Sequence, residues 1–222
     1  MSTEKDKKNE EARQPSRLGK VYGVIRESQF PVALAQIERE GKDPKYQIVT
    51  LLPDQSDIYW KGAHSPSLDA FELTRLHHIL NERLLALEDP DRDIKGISSH
   101  HMGPEKTEWF DITEHWGMIN SSRYENARLE VNMVTFRSFE NEEGETIPET
   151  TKLEIREWQD GLPRRGYRFS GIEEVMHLKE ACEVLMKEKD LTYETQSKNK
   201  LEKKPAKQED KPRPKTRDDP QK

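Results

Sequence analysis

The stretch Val21-Tyr22-Gly23-Val24-Ile25 decides the fold because it recurs, 94 positions later, as His115-Trp116-Gly117-Met118-Ile119. A second motif recurs too, since Pro44-Lys45-Tyr46-Gln47-Ile48 is echoed by Thr151-Lys152-Leu153-Glu154-Ile155. After each second motif the chain passes through a turn into one helix with an apolar stripe. A repeat of this length with only two copies indicates a tandem domain rather than a solenoid.

Each copy is predicted to contain four strands and one helix. We place the first module at residues 17–90 and the second at residues 112–189, with a linker over residues 91–111. In the second module, alternating apolar residues predict strands over Arg128–Phe136 and Lys152–Trp158. With the repeated stretch and one further short strand, each module has the order β-β-β-β-α, which places the chain in the α+β class.

The two predicted helices carry apolar stripes that need a partner surface. Ser170 and Glu173 match a capping box, and Ser65 precedes Pro66, a favourable first helical residue. The stripes comprise Ile172, Val175, Met176, Cys182, Leu185 and Met186 in the second module, and Leu68, Phe71, Leu76, Ile79, Leu80, Leu84 and Leu87 in the first. We therefore expect the modules to close on each other as an intramolecular pseudo-dimer, with Cys182 as a buried small hydrophobe.

The ends of the chain differ in composition from its middle. Residues 1–16 and 190–222 are almost free of apolar side chains and are predicted to be disordered. The chain carries a net charge of −6; residues 1–20 carry +2 and residues 190–222 carry +3, which leaves −11 on the middle. An acidic middle argues against non-specific binding to duplex DNA, which depends on neutralising phosphates. It leaves room for binding at one locally basic face.

The sequence offers little support for metal binding, catalysis or insertion into a membrane. His77-His78 and His100-His101 are adjacent pairs, which point apart on a helix and have no cysteine cluster beside them, so we expect no metal site. Because phosphate loops, nucleophile elbows and HExxH motifs are absent, we expect a protein that is not an enzyme and needs no cofactor. No stretch resembles a signal peptide or a membrane span, so we expect a cytoplasmic protein, with association with the nucleoid as a variant of this prediction.

The order of these motifs resembles the YdbC-like members of the positive cofactor four coactivator family. The resemblance covers residues 113–188, and in residues 19–88 it rests on Gly23-Val24-Ile25 and on the run from Gly41 to Ile48. It implies a curved four-stranded antiparallel sheet followed by one helix, pairing through the helices, and binding of single-stranded DNA on the sheets. The first copy departs from the pattern, because Val49 and Leu51 stand where the second copy has Arg156 and Trp158.

A single-strand surface needs positive charge along the phosphates and exposed rings on which bases stack, each stacked base contributing about 1–3 kcal/mol. If Leu153 and Ile155 face the helix, alternation puts their neighbours on an open face. The predicted nucleic-acid contacts are Lys152, Arg156, Trp158 and Phe136, with Arg128, Arg164, Arg165 and Arg168 as a basic rim and Lys45 from the first copy. Three alternatives stay open: core positions between the two copies for Trp158 and Phe136, an ordinary ion pair for Arg156, and a solvated turn for Arg164-Arg165.

The sequence thus favours non-enzymatic binding of single-stranded nucleic acid, in transcription regulation or DNA maintenance. DNA is the expected ligand, and RNA would use the same surface. The chief alternative is a protein-interaction module of the same fold that has lost nucleic-acid binding, as the acidic middle suggests.

Overall fold

The computed structural model describes residues 17–53, 58–61, 65–98, 110–121 and 126–193. The predictions for the N-terminal segment, for most of the C-terminal tail and for His100-His101 lie outside these residues. Within them the chain is a mixed α+β protein of antiparallel sheets and two helices, as predicted.

The first half is a four-stranded antiparallel sheet followed by a helix. Its elements are β1 (Arg17–Arg26), β2 (Val32–Glu38), β3 (Lys45–Pro53), β4 (Ile58–Lys61) and α1 (Ala70–Glu88). The strands lie in sequential order, β1-β2-β3-β4, so each pairs with its neighbour along the chain.

The second half repeats this plan with one addition. Its elements are β5 (Phe110–Asn120), β6 (Ala127–Phe136), β7 (Phe139–Glu140), β8 (Thr146–Ile147), β9 (Thr150–Gln159), β10 (Leu162–Arg168) and α2 (Ile172–Glu188). The main sheet has the order β5-β6-β9-β10, and β7 pairs with β8 as a separate hairpin. We call residues 137–149 the acidic hairpin, which the sequence predicts only as a loop.

One cluster of buried side chains joins both sheets and both helices. It includes Leu34 and Leu73 from the first half and Val131, Ile155 and Leu178 from the second. Helix α2 lies closest to β1, whereas α1 approaches β5 and the two helices contact each other. Each helix therefore packs against the sheet of the other half.

The glycines at the centre of the repeated stretch allow this close approach. A Cβ atom on Gly23 would lie 2.8 Å from the Cβ of Ala181 in α2, and one on Gly117 would lie 2.8 Å from Cδ1 of Ile79 in α1. The recurrence of glycine in the two halves therefore has one physical reason, a contact between a strand and the helix of the other half.

The same contacts are completed by side chains that bind strand carbonyls. Arg83 of α1 donates from Nε to the carbonyl of Trp116 at 2.8 Å. His177 of α2 lies with Nδ1 3.1 Å from the carbonyl of Ile25. Both carbonyls stand at irregularities of the strand pairing. These bonds satisfy backbone groups that a bulge takes out of the ladder.

We predict that Gly23→Ala lowers the free energy of unfolding by about 1–3 kcal/mol, because the added methyl meets Ala181 and cannot move away. Ala181→Gly alone should cost about 1 kcal/mol, the usual penalty for glycine in a helix. The double variant should lose less free energy of unfolding than the two single variants lose together. Urea unfolding of all four proteins measures this difference as a double-mutant cycle. Additive effects would mean that the two positions do not touch.

Both predicted helix starts need correction. The first helix is capped by Asp69, whose carboxylate accepts from the Glu72 N–H while the Glu72 side chain accepts from the Asp69 N–H. Ser65 is instead buried and bonds the backbone N–H and carbonyl of Ile48. The second helix begins after Gly171 with no side-chain cap. The predicted capping box does not form there.

Glu174, next to the predicted capping residue Glu173, connects the start of α2 to strand β1. Its carboxylate accepts from Arg26 of β1 at 2.5 Å and from the Ser170 N–H at 3.0 Å. Burial alone would raise the pKa of Glu174, but the hydrogen bonds from Arg26 and Ser170 outweigh burial and hold this pKa below its ordinary value. The start of α2 is thus tied to the first sheet.

Three residues of the predicted apolar stripes are exposed rather than buried, so the prediction is wrong for them. Ile172, Met176 and Leu87 are exposed, because the helix faces that pack are narrower than the sequence pattern suggests. Cys182 is fully buried, as predicted, and burial raises the pKa of its thiol to about 12. The buried apolar residues of α2 are Val175, Cys182 and Leu185 of the predicted stripe, together with Leu178 and Ala181, which the prediction missed.

The first residues assigned to the C-terminal tail are packed. Asp190 adopts a positive φ of 51° that turns the chain, and the Leu191 N–H then donates to the Met186 carbonyl at 2.9 Å. The Tyr193 ring lies 4.3 Å from the His78 ring. A helix ending in this left-handed turn returns the chain onto α1.

Candidate nucleic-acid interface

The sheet surface of the second half that points away from the helices carries most of the predicted contacts. Leu153 and Ile155 are buried on the helix side, so alternation directs Arg156 and Trp158 to the opposite surface. We call this surface the far face. It comprises Arg128, Glu130, Asn132, Val134 and Phe136 of β6 and Lys152, Glu154, Arg156 and Trp158 of β9. The predicted strand orientation is confirmed.

Glu154 is the centre of an ion-pair network on the far face. This carboxylate is only 2% exposed and accepts from Arg156 Nε at 2.6 Å and from Arg168 Nε at 2.8 Å. Arg156 also donates to the carbonyl of Arg164 at 2.8 Å. A carboxylate buried this deeply needs such compensation of its charge. Two of the predicted phosphate contacts are therefore partly neutralised within the chain.

A second network on the same face surrounds Trp158. Arg128 Nε donates to Glu130 at 2.5 Å, and Asn132 donates to the same carboxylate at 3.1 Å. The Arg128 guanidinium lies 5.7 Å from the Trp158 ring centroid. Within the described ranges, Trp158 Nε1 and Arg128 Nη2 are buried without a hydrogen-bond partner.

These contacts correct the expected exposure of the far face. Trp158 is 1% exposed and Arg128 is 7% exposed, so neither offers an open surface to a base or a phosphate. Alternation places Glu130 and Glu154 on the same face as the arginines, and the resulting ion pairs hold the guanidinium groups against the sheet. The structure thus matches the alternative in which Arg156 forms an ion pair, and it buries Trp158 on the far face, outside the core cluster that the two halves share.

The remaining rings of the far face are already stacked. The Arg168 guanidinium lies 4.2 Å from the centroid of the half-buried Phe136 ring. Phe110 of β5 is buried 5.7 Å from Phe136, and Arg156 lies 5.6 Å from the Phe110 ring. Lys152 is half-buried beside them. Cation–π contacts of this kind stabilise the arginine positions.

The matching surface of the first sheet is mainly apolar. Ala35, Ile37 and Val49 form a buried cluster there, with Leu51 packed against it. The departures at Val49 and Leu51 therefore belong to a hydrophobic contact surface, and Lys45, opposite Ile37, brings a positive charge to its edge.

A groove of about 1660 Å³ runs between the two halves. One wall is the β2–β3 turn, where Gly41 has a φ of +67°. The other wall is β10 and the end of β9, joined by a turn in which Asp160 and Gly161 both have positive φ. Such a turn suits a tight hairpin. A register shift between Pro163 and Gly166 then turns the intervening arginines out of the ladder.

The charged residues that line this groove are mostly basic. They are Arg39, Lys42, Lys45, Arg156, Arg164, Arg165 and Arg168, with Asp43 and Glu157 as the acidic members. Glu154 pairs with Arg156 and Arg168, and Asp69 lies 3.9 Å from the Lys45 amine. After these two carboxylates are counted, an excess of three positive charges remains, in a chain with a net charge of −6. We call this site the basic groove.

The basic groove unites part of the predicted contact set. It brings together Lys45, Arg156, Arg164, Arg165 and Arg168, whereas Lys152, Phe136, Trp158 and Arg128 are not part of its lining. The sequence prediction missed Arg39 and Lys42. The turn Gly41-Lys42-Asp43-Pro44 was recognisable in the sequence and could have drawn attention to these two residues. No local pattern, however, reveals that this turn lies beside β10.

The histidines that the structure describes serve structural contacts. His77 Nε2 lies 3.3 Å from Glu183 of α2, and burial lowers the pKa of His77 although Glu183 opposes this shift. His78 lies 3.0 Å from the Lys95 carbonyl. No group of three or more metal-ligating side chains occurs in the described part of the chain.

Neither helix in the described ranges combines the length and the apolar character needed to cross a bilayer. Comparison of the chain with protein-family models, with curated proteins and with solved structures found no match.

Proposed function

We propose that this protein binds single-stranded nucleic acid, DNA in the first instance, in the basic groove, and that it does so without catalysing a reaction. The observation that carries this proposal is the excess of positive charge along one groove of an otherwise acidic chain. Lys and Arg side chains that neutralise phosphates supply most of the affinity for a nucleic-acid backbone.

The geometry of the basic groove favours a single strand. Arg164 and Arg165 are exposed on a narrow hairpin. Guanidinium planes stack on unpaired bases, which a duplex does not offer. The resemblance to the YdbC-like coactivator family supports the same ligand, and with it a role in transcription regulation or DNA maintenance in the cytoplasm or nucleoid.

We further propose that the two halves form an intramolecular pseudo-dimer of tandem modules. Three observations support it: the equal strand order of the two sheets, the exchanged helix contacts at Gly23 and Gly117, and the shared core. The Gly23→Ala double-mutant cycle described above tests this arrangement.

One observation favours the alternative of a protein-interaction module. On the far face, Glu130 and Glu154 compensate the arginines that the family resemblance would assign to DNA. A sheet surface that has lost its free positive charge is suited to a different partner.

Fluorescence anisotropy of labelled oligonucleotides over a salt series tests the proposed function. We expect binding of a thymidine oligomer of about 12 nucleotides, with a logarithmic salt slope of roughly −2 to −4 if about three to five phosphates are contacted. RNA of the same length should bind comparably, and a duplex more weakly, because a duplex offers no unstacked bases.

No binding of any oligonucleotide at low salt would favour the interaction module. Equal binding of duplex and single strand, with the same salt slope, would reduce the site to a non-specific polyanion surface.

A further inference from the structure

The basic groove joins unlike parts of the two halves. It lies between the β2–β3 turn of the first half and the β9–β10 hairpin of the second. By their places in the two sheets, β2 and β3 of the first half correspond to β6 and β9 of the second. In the same way, β9 and β10 of the second half correspond to β3 and β4 of the first. A counterpart groove would therefore lie between the β6–β9 connection and the β3–β4 hairpin.

On the side of the β6–β9 connection, the residues at the counterpart position have the opposite charge. The β6–β9 connection is the acidic hairpin, in which five glutamates stand against Arg137, and Arg137 is paired with Asp111 at 2.6 Å. All five glutamates are exposed: Glu140, Glu142, Glu143, Glu145 and Glu149. By contrast, the β2–β3 turn of the first half brings Arg39 and Lys42 to the basic groove. Phosphates are repelled at one position and attracted at the other.

We propose that the chain holds one composite nucleic-acid groove rather than two, so that one strand binds per chain, and that the first half contributes Arg39 and Lys42 to it. This inference rests on the proposed function and adds its stoichiometry and a second set of contacts. The charge is therefore distributed unequally between equivalent places of the two halves: one place is part of the basic groove, and the other is the acidic hairpin. The first half thus contacts the ligand through the β2–β3 turn and through Lys45 and Gln47 at the start of β3, which also line the groove.

Two measurements on the full chain test this proposal, with a thymidine oligomer of about 12 nucleotides as the probe. Isothermal titration calorimetry at low salt should give one oligomer per chain. The variant Arg39→Ala/Lys42→Ala should bind about 25-fold more weakly at about 0.1 M salt and lose about 1.4 from the salt slope, since each single-strand phosphate contact is worth about 0.7. Both side chains are exposed, so the melting temperature should not change.

The chain offers a matched control in Arg92→Ala/Lys95→Ala. This pair has the same spacing as Arg39 and Lys42 and lies outside the basic groove; Lys95 is exposed, and Arg92 pairs with Glu82 at 3.3 Å, so the melting temperature of the control is measured as well. It removes the same charge, so any effect of net charge alone appears in both variants. We expect the control to keep the affinity of the unmodified chain within about twofold, because neither side chain lines the basic groove.

The possible failures are distinguishable. If the unmodified chain binds no oligomer, both the proposed function and the composite groove are wrong. If it binds two oligomers per chain, or if the Arg39/Lys42 variant matches the Arg92/Lys95 control, single-strand binding stands and the composite groove is wrong.

Discussion

Trp158→Ala is expected to lower the free energy of unfolding by about 3–5 kcal/mol, the range measured for large aromatic side chains removed from protein cores. Trp158 is 1% exposed on the far face and packs beside Arg128, so its loss leaves a cavity lined by a buried ion pair. The neighbouring surface cannot collapse into this cavity without moving Glu130, which is fully buried. Urea unfolding followed by circular dichroism measures the loss.

Trp158→Phe is the matched control for this change. Phenylalanine keeps most of the buried area and removes Nε1, which has no hydrogen-bond partner within the described residues, so the loss should be clearly smaller than for alanine. Under conditions in which Trp158→Ala is folded, its affinity for the thymidine oligomer should equal that of the unmodified chain. A variant of full stability with tenfold weaker binding would restore Trp158 as the exposed stacking ring that the sequence predicts.

Arg164→Glu/Arg165→Glu is expected to weaken binding of the thymidine oligomer by several hundred-fold at about 0.1 M salt. Removing two phosphate contacts accounts for roughly 25-fold, and repulsion from the two added carboxylates contributes a similar factor. The salt slope should fall by more than 1.4 for the same reason. Both residues are exposed on the β9–β10 hairpin, so folding should be unaffected. Anisotropy at several salt concentrations measures affinity and slope together.

The control for this charge reversal is Arg92→Glu/Lys95→Glu, which changes the net charge by the same amount away from the basic groove. An equal loss of affinity in the two variants would mean that binding responds to overall charge alone. Unchanged binding in the Arg164/Arg165 variant would remove the β9–β10 hairpin from the interface and leave Arg164-Arg165 as a solvated turn.

Much of the fold was predictable because it depends on sequence patterns that extend over only a few residues. The recurrence of Gly23 as Gly117 marked the two halves, and period-two alternation around Ile155 assigned the two sides of β9. Tight turns such as Asp160-Gly161 were recognisable from their composition. Helix starts were harder, because Asp69 competes with Ser65 for the capping position and the β-sheet contact of Ser65 decides the outcome.

The candidate site was only partly predictable. Alternation tells on which side of a sheet a residue lies, but it does not tell how deeply the residue is buried. Arg156 and Trp158 were therefore placed on the correct side and expected to be exposed. Arg156 is held by Glu154, which also pairs with Arg168 from another strand, and Trp158 packs beside Arg128, which pairs with Glu130. Ion pairs between strands are tertiary contacts that no local pattern contains.

By itself, the sequence determined the α+β class and the side of the sheet to which the residues of β6 and β9 point. These follow from backbone geometry and hydrophobic periodicity, which act over a few residues. Only the tertiary structure decided where positive charge accumulates. Lys42 and Arg164 stand 122 positions apart, and they line one groove because each helix packs on the sheet of the other half. An electrostatic surface is a sum over neighbours in space, so it exists only once the chain has folded.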